Sequence, residues 1–155
     1  MTTALCPGSF DPPTSGHVDV IERTISTFDS VIVSVVDNPS KQSLFTVEER
    51  IHLLGELFGN RVRIVSFAGL LVDHVATEGA DVVVKGLRSI DDYEYEKQMS
   101  QMNRHLTGME TVYMATAARY SFISSSLVKE VAKLGGDISE LVPDQVARAL
   151  KEKLS

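Results

Sequence analysis

The feature that most constrains the fold is a regular alternation of short apolar runs with longer amphipathic segments. The apolar runs are rich in β-branched residues and are predicted to be strands: "TALC" near 3–6, "VIVSVV" at 31–36, "VRIVSF" at 62–67, "DVVVK" at 81–85 and "TVYMAT" at 111–116. Several of them are apolar on both faces, which is typical of parallel strands that helices cover on each side.

The segments between these runs show helical periodicity. Apolar residues three or four positions apart indicate four helices, marked by Val18, Ile21, Ile25 and Phe28; by Ile51, Leu54 and Leu57; by Leu71, Val72 and Val75; and, in a longer helix, by Ile90, Tyr93, Met99, Met102 and Leu106. Two further helices follow the last strand, one ended by Gly135 and Gly136 and one begun by Pro143. This order predicts an α/β fold, a doubly wound five-stranded parallel sheet in one domain over 1–155.

Composition restricts the class of protein further. The chain has 155 residues, a formal net charge of −6 and a single cysteine, Cys6, so an intramolecular disulfide is impossible. The acidity disfavours nucleic acid as a partner, because nonspecific binding to nucleic acid needs a basic surface. No stretch has the length of a membrane span or the pattern of a signal peptide. We therefore expect a soluble, cytoplasmic protein with no membrane partner.

In a sheet of this kind, ligands bind beyond the carboxyl ends of the strands, which directs attention to the loops at 7–17, 37–46, 85–92 and 117–126. Neither G-x-G-x-x-G nor G-x-x-x-x-G-K-[ST] is present, which disfavours dinucleotide dehydrogenases and P-loop ATPases. The first loop, "CPGSFDPPTSGH", nevertheless has the parts of an anion site. Glycines allow close backbone approach, Ser9 offers a hydroxyl, and His17 stands at the start of a helix. The alternative is a proline-rich turn in which Thr14 or Ser15 caps the helix.

The other loops add cations and hydroxyls. Lys41 lies among turn-forming residues, Lys85 and Arg88 follow a buried strand, and Ser124 to Ser126 open a helix. Each has an ordinary alternative, namely a solvated surface charge or a helix N-cap. Together they place several phosphate-binding groups at one edge of one sheet.

The motifs "PGSFDPPTSGH", "NPSK", "FTVEER", "KGLR", "DYEYE", "QMNRHL" and "YSFISSSLVKEVA" resemble, in order and spacing, the bacterial phosphopantetheine adenylyltransferases of the nucleotidyltransferase superfamily. The resemblance covers nearly the whole chain. It implies a Rossmann-like nucleotidyltransferase fold and the transfer of an adenylyl group from ATP to 4′-phosphopantetheine, giving dephospho-coenzyme A and pyrophosphate. It also implies Mg²⁺ with the ATP and a homohexamer.

Carried over residue by residue, the resemblance implies two sets of binding residues. The ATP-binding set is Ser9, Phe10, His17, Gly86, Leu87, Arg88, Glu96, Tyr120, Ser121, Phe122, Ile123, Ser124, Ser125 and Ser126. The set for phosphopantetheine is Ser9, Lys41, Leu71 and Lys85.

The residue types suggest how such a site would work. The acceptor is already a phosphate monoester, so direct displacement needs no covalent intermediate, and His17, Lys41 and Arg88 are the expected catalytic donors. We expect no protein-supplied metal site, since Mg²⁺ would enter with the nucleotide and neutralise the leaving pyrophosphate. Cys6 is expected to be a buried or half-buried strand residue. Asp91, Asp92 and Glu94 are expected to form a solvated helix face, and Met99 and Met102 to belong to the core or to a subunit interface.

Two rival functions stay open at this point. One is another activity of the same superfamily, adenylation of nicotinamide mononucleotide or transfer of a cytidylyl group, although Thr14 stands where cytidylyltransferases carry histidine. The other is a regulatory module that binds ATP without turnover. Such a module would not need cations from several loops to converge on the phosphates.

Overall fold

The computed structural model describes residues 1–155 as five strands and six α-helices. The strands are β1 (Thr3–Gly8), β2 (Ser30–Val36), β3 (Arg63–Phe67), β4 (Val82–Leu87) and β5 (Glu110–Ala115). The helices are α1 (Ser15–Thr27), α2 (Val47–Phe58), α3 (Leu71–Glu78), α4 (Ile90–Thr107), α5 (Ser125–Lys133) and α6 (Asp144–Leu154). Two short 3₁₀ turns, Gly59–Arg61 and Ala118–Tyr120, complete the chain.

The strands form one parallel sheet in the order β3-β2-β1-β4-β5. The chain builds outward from β1 to β3, then crosses back and builds in the other direction through β4 and β5. This is the doubly wound arrangement that the alternating pattern predicts, and the prediction of fold class is confirmed. β1 and β4 each run two residues further than the sequence indicates, because Gly8 pairs with Val35 and Leu87 with Ala115. Strand pairing there overrides the weak strand propensity of glycine.

Helices cover both faces of the sheet. On one face α1 and α2 pack through Ile21 and Leu54 against strand residues such as Val33. On the other face α3 packs through Val72 and Val75. A third cluster joins α2, α5 and α6 beside the sheet, with Phe45, Leu53, Val128, Val146 and Leu150 at its centre. The apolar spacing of the first three helices therefore predicts their buried faces correctly.

Side-chain caps determine the first residue of α1 and of α5, the two helices that begin at the loops of interest. The Thr14 hydroxyl accepts from the N–H of His17 and caps α1, and the Ser124 hydroxyl accepts from the N–H of Leu127 and caps α5. Each cap satisfies a backbone donor that would otherwise have no partner. Of the two candidates for the cap of α1, Thr14 is thus the cap and Ser15 is not, and among the three serines Ser124 is the cap of α5.

The long helix α4 is the exception among the helices. Its only buried residue is Asn103, and Met99 and Met102 are 42% and 55% exposed. Of the two expected places for these methionines, the core of the chain is therefore excluded, and the subunit interface stays a prediction. None of the helices combines the length and the apolarity required to span a bilayer.

Candidate active site

A crevice opens between the two central strands at their carboxyl ends. β1 and β4 pair only at Ala4 with Val82 and Leu5 with Val83, and beyond these positions the two strands diverge. Successive strands are added on one side of β1 up to β3 and on the other side from β4, so the strand order reverses at this point, which is where ligands bind in open α/β sheets. The crevice is a cavity of about 640 Å³.

Most of the residues predicted from the sequence line this cavity. They are Ser9, Phe10, His17, Lys41, Lys85, Gly86, Arg88, Glu96, Ile123, Ser124, Ser125 and Ser126. They come from four loops, from β4 and from the helices α1, α4 and α5, so the fold brings together groups that lie more than 100 residues apart in the chain. The remaining predicted residues, Leu71, Leu87, Tyr120, Ser121 and Phe122, lie outside the cavity wall. Leu71 packs instead beside α3's core cluster.

His17 is held as a neutral hydrogen-bond donor. The backbone N–H of Thr14 donates to His17 Nδ1 over 2.9 Å, so Nδ1 carries the lone pair and the proton lies on Nε2. Burial, and secondarily the charge of Arg88, lower the pKa of His17 to about 4. The imidazole therefore stays uncharged at neutral pH, with an N–H donor available to a ligand in the cavity.

The ring of Phe10 packs against the imidazole of His17. The two rings meet edge to face with their centroids 5.0 Å apart. Phe10 is buried and adopts a positive φ of 50°, a conformation that is rare for residues other than glycine. A Cβ atom on Gly8 would lie 2.9 Å from the Phe10 ring, so this close packing requires glycine at position 8.

Two of the three predicted cations are already paired with carboxylates of α4. Lys85 Nζ lies 2.6 Å from Glu96 Oε2, and Arg88 Nε lies 3.0 Å from Asp92 Oδ2. Arg88 also donates to the carbonyl of Ile123 over 3.0 Å. The expectation that Asp92 belongs to a solvated face is wrong, since this carboxylate lines the cavity and orients Arg88. The missed signal is the four-residue spacing of Arg88 and Asp92 across the start of a helix.

The third cation, Lys41, is exposed and forms no ion pair. It lies in a turn in which its own N–H donates to the carbonyl of Asn38. Its ammonium group is consequently the most adaptable positive charge at the mouth of the cavity.

The three serines at the start of α5 have different environments. Ser124 caps the helix, and the Ser125 hydroxyl donates to the carbonyl of Pro12 over 2.8 Å. Ser126 lies exposed in the first helical turn. All three line the cavity beside the positive end of the helix dipole, an arrangement that favours phosphate oxygens.

Sequence reasoning missed two buried charged residues behind the cavity. Arg50 is 3% exposed and donates to the carbonyls of Ser9 and Val36, which ties the carboxyl ends of β1 and β2 together. Asp11 is likewise buried and accepts three hydrogen bonds. Both lie inside motifs that resemble the adenylyltransferase family, yet neither the helical Arg50 nor the loop residue Asp11 gives a sign in sequence that it is buried.

Cys6 lines the cavity but is not poised as a nucleophile. Burial raises the pKa of its thiol to about 11, so the reactive thiolate is scarce at neutral pH. No group of three or more His, Cys, Asp or Glu side chains has a spacing that could hold a metal ion.

Comparisons with known proteins match the fold of this chain. A family model described as cytidylyltransferase-like matches residues 5–131. The chain is also similar to the crystal structure of a lipopolysaccharide core biosynthesis protein from Thermoplasma volcanium, with 20% identity, 76% of this chain and 97% of that chain covered, and a TM-score of 0.56. It is similar to a protein from Vibrio parahaemolyticus described as a nicotinate-nucleotide adenylyltransferase, with 16% identity, 99% and 95% coverage, and a TM-score of 0.67. At these identities the two structures show a shared fold.

Proposed function

The chain belongs to the cytidylyltransferase-like family of nucleotidyltransferases, and on that premise we propose that it transfers the adenylyl group of ATP to 4′-phosphopantetheine. The products are dephospho-coenzyme A and pyrophosphate. The observation that carries this proposal is the convergence of Lys41, Lys85, Arg88 and the neutral His17 donor on one cavity. Such a set of groups suits two substrates that both bear phosphate.

The reaction is a direct displacement at the α-phosphorus of ATP. An oxygen of the acceptor's terminal phosphate forms the new bond to phosphorus, and the bond to the β-phosphate oxygen breaks as pyrophosphate leaves. No side chain need form a bond to the substrate, which agrees with the protonated state of Cys6. The protein's contribution is alignment of the two substrates and stabilisation of negative charge.

Each donor has a distinct place in this scheme. His17 Nε2–H donates to the α-phosphate, where charge develops, without adding a second full positive charge near Arg88. The hydrogen bonds that Arg88 makes to Asp92 and Ile123 use three of its five N–H groups, which leaves two that can bind phosphate. The serine hydroxyls and the amino end of α5 hold the outer phosphates of ATP.

Lys41 and Lys85 face the acceptor in this proposal. The ammonium group of Lys85 binds the acceptor's phosphate, either in place of Glu96 or together with it. The unpaired Lys41 approaches the same phosphate from the 37–46 loop. The two lysines favour a terminal phosphate over a cationic pyridinium ring. Mg²⁺ bound with ATP would neutralise charge on the leaving pyrophosphate. The oxygen groups facing the cavity would suit this hard cation, but Asp92 and Glu96 are engaged with Arg88 and Lys85, so phosphate and water would supply most of its ligands.

A product assay with Mg²⁺–ATP and a panel of acceptors tests the proposal. We expect pyrophosphate release with 4′-phosphopantetheine and none with unphosphorylated pantetheine. Efficient adenylation of nicotinate or nicotinamide mononucleotide, or use of CTP with a polyol phosphate, would contradict the substrate while retaining the family. ATP binding without turnover of any acceptor would indicate a regulatory module.

The variant Lys41→Ala tests the assignment of the acceptor side. Because Lys41 makes no ion pair in the chain, its loss should remove only a ligand contact. We expect a large fall in kcat/KM for 4′-phosphopantetheine with little change in ATP affinity, measured by calorimetry in the absence of acceptor. An equal loss of affinity for both substrates would show that Lys41 serves the nucleotide instead.

A further inference from the structure

We infer that Asp11 is a positioning residue that holds the Lys41 loop against the serine helix α5 through its pairing with Lys129. The inference rests on the proposed function only for its kinetic readout. The link itself is a feature of the fold, and it joins the loop assigned to the acceptor with the helix assigned to ATP.

The carboxylate of Asp11 is the junction of three segments. Oδ1 accepts from the N–H of Phe45 over 2.8 Å, and Oδ2 accepts from the N–H of Leu44 over 2.9 Å. Oδ2 also lies 2.9 Å from Lys129 Nζ. Asp11 itself is only 4% exposed, so these partners replace water almost completely.

The Asp11 group is charged in the folded chain. Burial alone would raise its pKa, but the N–H donors of Phe45 and Leu44 and the ammonium of Lys129 outweigh burial and lower the pKa below its ordinary value. Hydrogen bonds to a buried charged group are stronger than those between neutral groups. Removal of the charge should therefore weaken all three contacts together.

These contacts set the position of the loop that carries Lys41. At one end of the loop, Arg50 donates to the carbonyl of Val36, the last residue of β2. At the other end, Asp11 holds Leu44 and Phe45, and the Phe45 side chain is buried in the cluster beneath α5 and α6. Lys41 lies in the stretch between these two anchors, so its reach over the cavity depends on both.

The same carboxylate is tied to α5. Lys129 lies four residues after Ser125 and therefore on the same side of the helix. The Ser125 hydroxyl donates to the carbonyl of Pro12, the residue after Asp11. Two adjacent residues of the β1 loop thus fasten α5, while one of them also fastens the Lys41 loop. α5 is also held by Ser125 and by the burial of Val128, so loss of the Asp11 charge should release the Lys41 loop while α5 keeps its place.

The test is a double-mutant cycle between Asp11 and Lys41. Asp11→Asn keeps the side chain's size and removes its charge. We expect kcat/KM for 4′-phosphopantetheine to fall about ten- to a hundredfold, since misplacement of a binding group by about 1 Å can cost this much. The KM for ATP should stay within about twofold. In the Lys41→Ala background the same substitution should have little further effect, because Asp11 acts through Lys41. Effects that multiply independently in the two backgrounds would overturn the inference.

Two further variants separate positioning from general stability. Lys129→Met should reproduce part of the loss, and Lys129→Arg, which keeps the charge, should restore it. Glu22→Gln removes a surface ion pair with Arg61, 2.7 Å long and remote from these loops, and should leave the kinetics unchanged. Wild-type kinetics in both Asp11→Asn and Lys129→Met would overturn the proposal.

Hydrogen exchange gives a readout that does not depend on turnover. In Asp11→Asn the amides of Leu44 and Phe45 should exchange faster, while those of β1 and β4 stay protected. Unchanged exchange at 38–46 would overturn the inference even in an active enzyme. A wild-type chain that does not adenylate 4′-phosphopantetheine would contradict the proposed function alone, and faster exchange in the variant would still support the role of Asp11.

Discussion

At the scale of single residues, the environment of a side chain decides its chemistry more than its type does. His17 is a neutral donor because the Thr14 N–H occupies Nδ1 and because burial disfavours its charge. Cys6 borders the same cavity and is kept protonated by burial. Asp11 is equally buried but ionised, since three donors surround it. The balance between desolvation and specific partners accounts for all three.

His17→Ala should lower kcat far more than it weakens ATP binding. Loss of one donor to a developing charge costs on the order of 10²–10³ in rate. Steady-state kinetics with Mg²⁺–ATP and 4′-phosphopantetheine measure the effect. A nearly unchanged kcat with a raised KM for ATP would mean that His17 contributes to binding only.

The tautomer and charge of His17 can be observed directly. NMR of the imidazole nitrogens should show the proton on Nε2 near neutral pH and a titration midpoint near pH 4. The resonance is assigned by its disappearance in His17→Gln. A midpoint near pH 6.5, the value of an unperturbed histidine, would contradict the neutral-donor role.

At the scale of elements, the site depends on how closely α1 packs against the sheet. A Cβ atom on Gly86 would lie 2.7 Å from Val20 Cγ2 and 3.4 Å from Thr116 Oγ1. Glycine at the end of β4 lets α1 approach, and this approach brings the amino end of α1, with His17, to the crevice. Glycine here is a packing requirement, since its φ is not in the left-handed region.

Gly86→Ala should destabilise the fold by about 1–3 kcal/mol through overpacking against α1. Adding Val20→Ala removes the clashing methyl groups and should recover part of that loss, which urea denaturation measures. As a matched control, Gly55→Ala lies inside α2 with nothing within 4 Å of the new Cβ and should be neutral or stabilising. Full additivity of the Gly86 and Val20 changes would exclude the contact as the cause.

At the scale of the whole molecule, acid should destabilise the fold in two stages. His17 and His74 both have lowered pKa values, with burial as the largest cause. The unfolded chain therefore binds more protons as pH falls below about 6.5, and the free energy of unfolding decreases. Asp11, Glu22 and Glu49 have lowered pKa values in the folded chain. Their contribution is present above their unfolded values and is lost as pH falls through the folded ones, below about pH 4.

Urea denaturation between about pH 7.5 and pH 5 isolates the first stage. His74 is buried, lies 2.9 Å from Ser34 Oγ, and stacks on Phe67. His74→Gln keeps a polar partner for Ser34 and removes the titrating group, so the slope of unfolding free energy against pH should decrease in this range. An unchanged slope would show that His74 is not protonated differently in the folded and unfolded chains.

We also propose that the chain self-associates as a homohexamer, in accordance with its family resemblance. The support on this chain is α4, whose Met99, Met102 and Leu106 share one face by helical spacing and are 42%, 55% and 53% exposed. Light scattering coupled to gel filtration should give a mass near six times 17.0 kDa. Met102→Glu should lower that mass, and a wild-type monomer would contradict the proposal.

The sequence by itself determined the fold class and much of the cavity wall. Strand and helix patterns need only local periodicity, and the rule that ligands bind at the carboxyl ends of parallel strands then locates the loops carrying His17, Lys41, Arg88 and Ser124. The sequence also determined the buried faces of several helices, because burial follows apolar spacing when a helix packs on a sheet. Ile21 of α1 and Leu54 of α2 are examples.

Only the tertiary structure decided how the charged groups are paired and which of them are buried. Asp11 with Lys129, Arg50 with the carbonyl of Ser9, and Lys85 with Glu96 join segments that the chain brings together by folding. Apolar spacing predicts the helix α4 but not the exposure of its apolar face, because no part of this chain covers that face. Local patterns report what a segment can bury, whereas partners across the fold decide what it does bury and which charges it neutralises.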